Sequence, residues 1–153
     1  MRKLSLSLLV GGLVACSAFS GVAFAAPDGA AVYGTNCSMC HQAGGAGLPG
    51  QFPTLKGRID KIAATPEGKA YLADVVLNGL RGPIQAGGMS YAGVMPSFKA
   101  LSDEDLAAVL SYLTTLGATS QPFSADALKA ARPTPKKGSP LMAARNALNP
   151  APL

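Results

Sequence analysis

Histidine, cysteine and charged residues are scarce in this chain, and tryptophan is absent. The 153 residues include one His, three Cys and no Trp, and 14% of them are charged, against ~25% in an average soluble domain. A single histidine excludes zinc sites built on several His and any metal centre with two His ligands. The hydrophobic fraction of 48% excludes a mainly disordered chain, and the length is typical of one domain.

The N-terminus has the layout of a bacterial secretory signal peptide. Arg2 and Lys3 precede a largely apolar run over residues 4–24, and Ala23-Phe24-Ala25 supplies a small-x-small cleavage site. We therefore predict a signal peptide over residues 1–25, cleavage after Ala25 and a mature protein in the periplasm.

Two alternatives for this segment stay open, and either one would bring the protein into contact with a membrane. Residues 4–25 are long enough to act as an uncleaved membrane anchor. Leu13-Val14-Ala15-Cys16 is similar to a lipobox, which would make Cys16 a lipidated N-terminus.

Charge divides the remaining chain into a near-neutral body and a basic extension. Residues 26–118 carry six basic and seven acidic side chains, and we predict that they form the functional domain. Residues 119–153 carry one acidic residue, Asp126, and five basic ones: Lys129, Arg132, Lys136, Lys137 and Arg145. This extension is either packed on the body or partly disordered, or it is a docking arm that steers a protein partner. Nucleic acid is not an expected partner in the exported compartment.

Cys37-Ser38-Met39-Cys40-His41 is a C-x-x-C-H motif, which indicates covalent attachment of haem c. Two thiols three residues apart on a helical turn project to one side. There they can add to both vinyl groups along one edge of a porphyrin, and His41 becomes an axial ligand of the iron. The motif predicts one haem c, bound through Cys37 and Cys40.

Other interpretations of the motif fit the sequence less well. A thioredoxin-like redox pair would lie in a βαβ pattern, which is absent here. A zinc site would need further ligands, and no other Cys or His remains after signal removal. A disulfide between Cys37 and Cys40 would leave His41 without a role.

Over residues 28–117 the sequence resembles the class I c-type cytochromes. The family has a glycine eight residues before the first haem cysteine and an aromatic residue four before it, and here these are Gly29 and Tyr33. It also has a Pro-x-Leu segment about a dozen residues after the histidine, matched by Pro53-Thr54-Leu55. The resemblance implies that the Pro53 carbonyl accepts a hydrogen bond from the axial imidazole and that Leu55 packs on the haem.

Two methionines are candidates for the second axial ligand, and both lie in a glycine-rich loop over residues 82–99. Gly93-Val94-Met95-Pro96-Ser97-Phe98 resembles the distal Met-Pro loop of the family, so we predict Met95 as the ligand and keep Met89 as the alternative. If both side chains merely fill core space, the iron would be five-coordinate. In the family, a weak long-wavelength band of the oxidised protein marks the iron–thioether bond.

Helical signals predict an all-α cytochrome c fold with about three core helices, followed by short helices in the extension. Asp28 begins a helix over residues 29–36, Thr65-Pro66 one that runs to about Asn78, and Ser102 one that ends at Gly117. In the family the last of these crosses the first, so Gly29 and Tyr33 are expected to meet Val109, Tyr112 and Leu113. No long β pattern is present. In the extension we predict helices over residues 125–131 and 141–147.

The predicted function is electron transfer rather than catalysis. With His41 and Met95 bound, no iron position is open to oxygen or peroxide, and Met ligation favours the ferrous state. The chain would be a free carrier or the cytochrome subunit of a periplasmic dehydrogenase, with redox proteins such as a dehydrogenase, terminal oxidase or reductase as partners. The alternative is a haem enzyme or sensor with an open or labile sixth position, for which no second histidine is available as a distal acid or base.

Overall fold

A computed structural model describes residues 25–133 of the chain. No helix in this range is long and apolar enough to cross a membrane. Several predictions concern parts of the chain outside the described residues: Cys16, the helix over residues 141–147, Lys136, Lys137, Arg145 and all but the last residue of the signal peptide predicted over residues 1–25.

About half of the described residues are helical and the strands are short, which confirms the predicted fold class. Three longer helices and one shorter helix lie close to their predicted limits. Their starts are fixed by side-chain caps, because Asp28, Thr65, Ser102 and Ser124 accept hydrogen bonds from backbone N–H groups two or three residues further on. The helices are α1 (Gly29–Asn36), α2 (Ser38–His41), α3 (Ile59–Ile62), α4 (Pro66–Asn78), α5 (Asp103–Thr115) and α6 (Ala125–Ala131).

Helices α1 and α5 cross at Gly29, as expected. A Cβ atom at this position would collide with the Ala108 carbonyl oxygen and would lie 2.8 Å from the Tyr112 Cβ. One turn further along α1, the ring of Tyr33 lies 5.6 Å from that of Tyr112, centroid to centroid. Tyr33 is buried in one apolar cluster with side chains of α4 and α5, including Leu72, Val76, Leu106, Val109, Leu110 and Leu113.

The glycine-rich segment over residues 82–99, expected as a plain loop, contains three short strands, and a fourth lies directly before it. Strand β1 (Leu80–Arg81) pairs with β4 (Val94–Met95), and β2 (Ile84–Ala86) pairs with β3 (Met89–Tyr91), both antiparallel. Gly87 and Gly88 join β2 to β3 with φ of 56° and 75°. Two consecutive positive φ angles are what a two-residue hairpin turn needs, and glycine adopts them without strain. The Gly-Gly pair therefore makes a hairpin of this segment.

The first part of the extension packs on the body. Helix α6 contacts α4 and α5, and Leu128 is fully buried. The Thr114 hydroxyl accepts a hydrogen bond from the Gln121 backbone (2.9 Å), and the Ser111 hydroxyl accepts one from the Phe123 backbone (2.8 Å). The chain up to residue 133 thus shares its core with the body, which favours a packed extension over a free arm for this stretch.

The crossing at Gly29 predicts opposite effects for two glycines of the same helix. Gly29→Ala forces α1 and α5 apart, and we expect a loss of ~1–3 kcal/mol in the free energy of unfolding. Gly34→Ala is the matched control, because a Cβ there meets no atom within 4 Å. It should raise stability by up to ~1 kcal/mol through the helix propensity of alanine. Denaturant unfolding followed by circular dichroism measures both, and equal stability of the two variants would contradict the close crossing.

Candidate functional site

The C-x-x-C-H motif forms the junction between α1 and α2. Cys37 ends the first helix and begins the second, and its carbonyl accepts hydrogen bonds from the backbone N–H groups of Cys40 (3.2 Å) and His41 (2.9 Å). Hydrogen bonds of one helical turn therefore hold the three predicted site residues, Cys37, Cys40 and His41, close together. His41 is 8% exposed, whereas Met39 between the cysteines is 88% exposed. Met39 lies on the outer side of this turn.

The imidazole of His41 is held in one tautomer. Its Nδ1 lies 2.9 Å from the carbonyl oxygen of Pro53. Because a carbonyl only accepts, Nδ1 is the donor in this bond. Burial lowers the pKa of His41, although the Pro53 hydrogen bond acts in the opposite direction. A neutral ring with its proton on Nδ1 leaves the lone pair of Nε2 available to a metal.

Pro53 is brought to His41 by a tightly folded loop. The Gly45 carbonyl accepts hydrogen bonds from the backbone of Leu55 (2.8 Å) and Lys56 (3.1 Å) and from the Thr54 hydroxyl (3.0 Å). Gly47 has a φ of 70°, and a Cβ there would lie 2.6–2.7 Å from the backbone of residues 52–54. Only glycine permits this approach, which fixes the Pro53 carbonyl opposite the imidazole.

The chain leaves the motif in a strained conformation. Gln42 has φ 61° and ψ 168°, a region that is almost restricted to glycine. Its carbonyl accepts a 2.6 Å hydrogen bond from the buried hydroxyl of Tyr33 on α1. Tyr33 therefore does more than pack against α5, because it also holds the turn that follows His41.

Beside the motif lies one apolar cavity of about 280 Å³. Cys37, Cys40, His41 and Met95 all contribute to its wall. The wall contains no Asp, Glu, Lys or Arg from the part of the chain that the structure describes. Its other apolar side chains include Phe52, Leu80, Ile84, Tyr91, Val94 and Phe98.

The two candidate methionines occupy different places. Met95 lies in β4, paired with Leu80, and both residues line the cavity. Met89 begins β3, pairs with Ala86 and is not part of the cavity wall. Of the two residues of the Pro-x-Leu segment, Pro53 lines the cavity, whereas Leu55 packs against the core cluster. The structure thus brings Met95, and not Met89, into one cavity with His41.

The segment after Met95 is attached to the C-terminal end of α4. The Ser97 hydroxyl donates to the Leu77 carbonyl (2.5 Å), and the Phe98 N–H donates to the Val76 carbonyl (2.8 Å). Both acceptors belong to the last turn of the helix, where carbonyls have no partner within the helix. Sequence analysis missed Ser97, and nothing in the local pattern of a serine after proline indicates this long-range contact.

The thiols and the cavity fit a covalently bound haem better than thiolate chemistry. Burial, and then the neighbouring Cys40, raises the pKa of Cys37 to about 11. Nucleophilic and redox-active cysteines have lowered pKa values instead. No cluster of three or more His, Cys, Asp or Glu able to hold a metal ion occurs between residues 25 and 133. The imidazole of His41, the thioether of Met95 and the two thiols surround an apolar space, and these are the groups that a haem c site needs.

Relief of strain at Gln42 gives a test of the turn that follows the motif. Gln42→Gly should raise the free energy of unfolding by ~1 kcal/mol, because glycine adopts this conformation without the ~1–3 kcal/mol penalty of other residues. Gln42→Ala keeps the penalty and serves as the control, so it should be no more stable than the parent. A denaturant titration compares the three proteins, and a Gly variant no more stable than the Ala variant would contradict the strained turn.

Comparison with known proteins agrees with this site. Residues 26–117 match the cytochrome c family model. The chain is 42% identical to a cytochrome c-552 of Thermus thermophilus over 126 residues, which cover 78% of this chain and 84% of that protein. It is also 35% identical to the cytochrome c subunit of a quinone alcohol dehydrogenase from Gluconobacter oxydans, over 56% of this chain but only 17% of that protein.

The family match spans the predicted motif and the core helices, and the long alignment to cytochrome c-552 extends beyond it. The chain belongs to the cytochrome c family, the electron-transfer proteins that carry covalently bound haem c.

Proposed function

We propose that this protein carries single electrons through one haem c attached at Cys37 and Cys40, with His41 and Met95 as the axial ligands. The observation that carries the proposal is the shared cavity, whose wall contains both thiols, the imidazole and the Met95 thioether. When bound, the haem supplies reversible one-electron chemistry. The chain supplies the anchors, a fixed imidazole and an apolar, uncharged surrounding.

The proposed site of action is the periplasm. The arrangement of Arg2, Lys3, the apolar run and Ala23-Phe24-Ala25 supports export and cleavage after Ala25. The proposed partners are redox proteins: a periplasmic dehydrogenase, a terminal oxidase or reductase, or both. The relative from Gluconobacter is named as the cytochrome subunit of a dehydrogenase, which supports a role as such a subunit; a free carrier is the other form of the proposal.

Met95→Ala tests the ligand assignment. Removing the thioether should abolish the weak long-wavelength band of the oxidised protein and open the sixth position to cyanide. The reduction potential should fall by on the order of 100 mV, because axial ligands tune haem potentials over about 0.8 V. Absorption spectroscopy and redox titration measure these changes.

Met89→Ala is the matched control, and it should retain the band and the potential because Met89 does not line the cavity. A Met95→Ala protein that keeps its band would refute the assignment. If the unaltered protein binds cyanide at once, the haem enzyme or sensor alternative is favoured.

The proposed route for electrons is the mouth of the cavity. Val94 lines the cavity and is 59% exposed, and Met39 lines it and is 88% exposed. These side chains, Gln51 and Gly93 form a rim whose own residues are uncharged, and the exposed Arg81 lies next to it as the cross-strand partner of Val94. Transient redox contacts are small, often below ~1,200 Å², so a single charge placed on this rim lies close to the partner in the encounter complex.

Val94→Lys should therefore slow electron self-exchange between reduced and oxidised copies several-fold at low salt, because two like charges face each other across the contact. Added salt should restore most of the rate, since the Debye length falls to about 10 Å at 0.1 M. Line broadening in nuclear magnetic resonance spectra measures the rate. Ala127→Lys adds the same charge on the exposed side of α6 and should change it little. An equal effect of both variants would argue against this route.

A further inference from the structure

Arg132 lies near the end of the described residues, directly after α6, and all three of its side-chain nitrogens donate hydrogen bonds to the body. Its Nε donates to Asp103 Oδ1 (2.5 Å), its Nη1 to the Lys99 carbonyl (2.8 Å) and its Nη2 to the Leu101 carbonyl (2.8 Å). The side chain of Asp103 is only 18% exposed. A planar guanidinium can bridge a carboxylate and two carbonyls at once, which an ammonium group cannot do in the same fixed geometry.

The two carbonyls belong to the segment that connects Met95 to α5. Leu101 N–H donates to the Phe98 carbonyl (2.9 Å), which closes a turn over residues 98–101. Phe98 is the residue whose N–H is bound to α4. We call residues 95–101 the Met95 segment. Arg132 binds the end of this segment nearest α5, and the Val76 and Leu77 carbonyls of α4 bind the part that follows Met95.

The helix that carries Arg132 is held firmly against the body. Arg132 follows directly on α6, whose Leu128 is fully buried and whose first turn is capped by Ser124. Because the helix is already fixed against α4 and α5, only the arginine side chain itself has to be ordered for the three bonds to form. This part of the chain lies beyond residue 117, where the family match ends.

We propose that Arg132 is a positioning residue for the axial ligand Met95, so that the extension controls how readily this thioether leaves the iron. This inference rests on the proposed His41 and Met95 ligation. An external ligand competes with Met95 and binds only when the Met95 segment has moved away. Its apparent affinity is therefore proportional to the population of that displaced state.

Imidazole binding to the oxidised holoprotein tests the inference. Arg132→Ala should bind imidazole about tenfold more tightly than the parent, as expected when charge-assisted hydrogen bonds that hold the segment are lost. Arg132→Lys retains the positive charge but lacks the planar set of three donor nitrogens, so it should give an intermediate imidazole affinity. Asp103→Asn keeps the arginine and weakens its anchor, so it provides a second, milder variant should Arg132→Ala fail to incorporate haem.

Two controls separate positioning from general destabilisation. Lys129→Ala removes a positive charge from the exposed side of the same helix and should leave imidazole affinity unchanged. Val109→Ala creates a small cavity in the buried face of α5. It should lower the denaturant midpoint while leaving imidazole affinity at the parental value.

The outcomes distinguish this inference from the function on which it rests. If the parent shows the band of Met ligation and Arg132→Ala and Arg132→Lys bind imidazole within twofold of it, the positioning role is wrong and the proposed function stands. If Val109→Ala raises imidazole affinity as much as Arg132→Ala does, the positioning role is also wrong. If the parent itself lacks the band and binds imidazole without displacing an internal ligand, the proposed function fails.

Discussion

The hydrogen bond between His41 Nδ1 and the Pro53 carbonyl is the constraint on which the site depends. It determines which ring nitrogen carries the proton and therefore which one is available to iron. The bond requires a loop of about a dozen residues to return to its starting point. The Gly45 carbonyl with its three donors and the close approach at Gly47 provide that return. Much of the chain between α2 and α3 thus serves the orientation of one ring.

The opposite ligand is held by a different device. The C-terminal end of α4 holds the segment that contains Met95. Its last carbonyls have no partner within the helix and accept hydrogen bonds from Ser97 and Phe98 instead. The β1–β4 ladder adds a second attachment, because it pairs Met95 with Leu80 directly after the helix. One ligand is therefore fixed through a loop and the other through a helix terminus. Each is attached to structure outside its own segment, which keeps both in one cavity.

Local chemistry made much of this protein predictable from sequence. Asp28, Thr65, Ser102 and Ser124 cap helices at the expected positions, because capping depends on residues only two or three apart. The C-x-x-C-H motif indicated the site by its spacing, and the role of Pro53 was implied by the resemblance to the class I c-type cytochromes. The hairpin of β2 and β3 was missed, although Gly87-Gly88 between short apolar stretches was a usable signal for it.

Contacts between distant segments were not predictable in the same way. Arg132 was interpreted only as one charge of a basic extension, yet its side chain binds residues about thirty positions earlier in the chain. Asp60 is buried, accepts a hydrogen bond from the Ala118 backbone and occupies the space that a side chain at residue 117 would need. No periodicity or motif in the sequence indicates either contact, because only tertiary packing brings these residues together.

The β2–β3 hairpin allows residues to be added to the chain without moving Met95. Its base is closed by β1 and β4, and its tip at Gly87 and Gly88 has no atom near a would-be Cβ. Added residues at that tip would lengthen a loop whose ends are already joined, and such closure entropy grows only slowly with length. A peptide tag or a small reporter domain inserted there would be tolerated at little thermodynamic expense, and would project from the molecule while Met95 stays where it is.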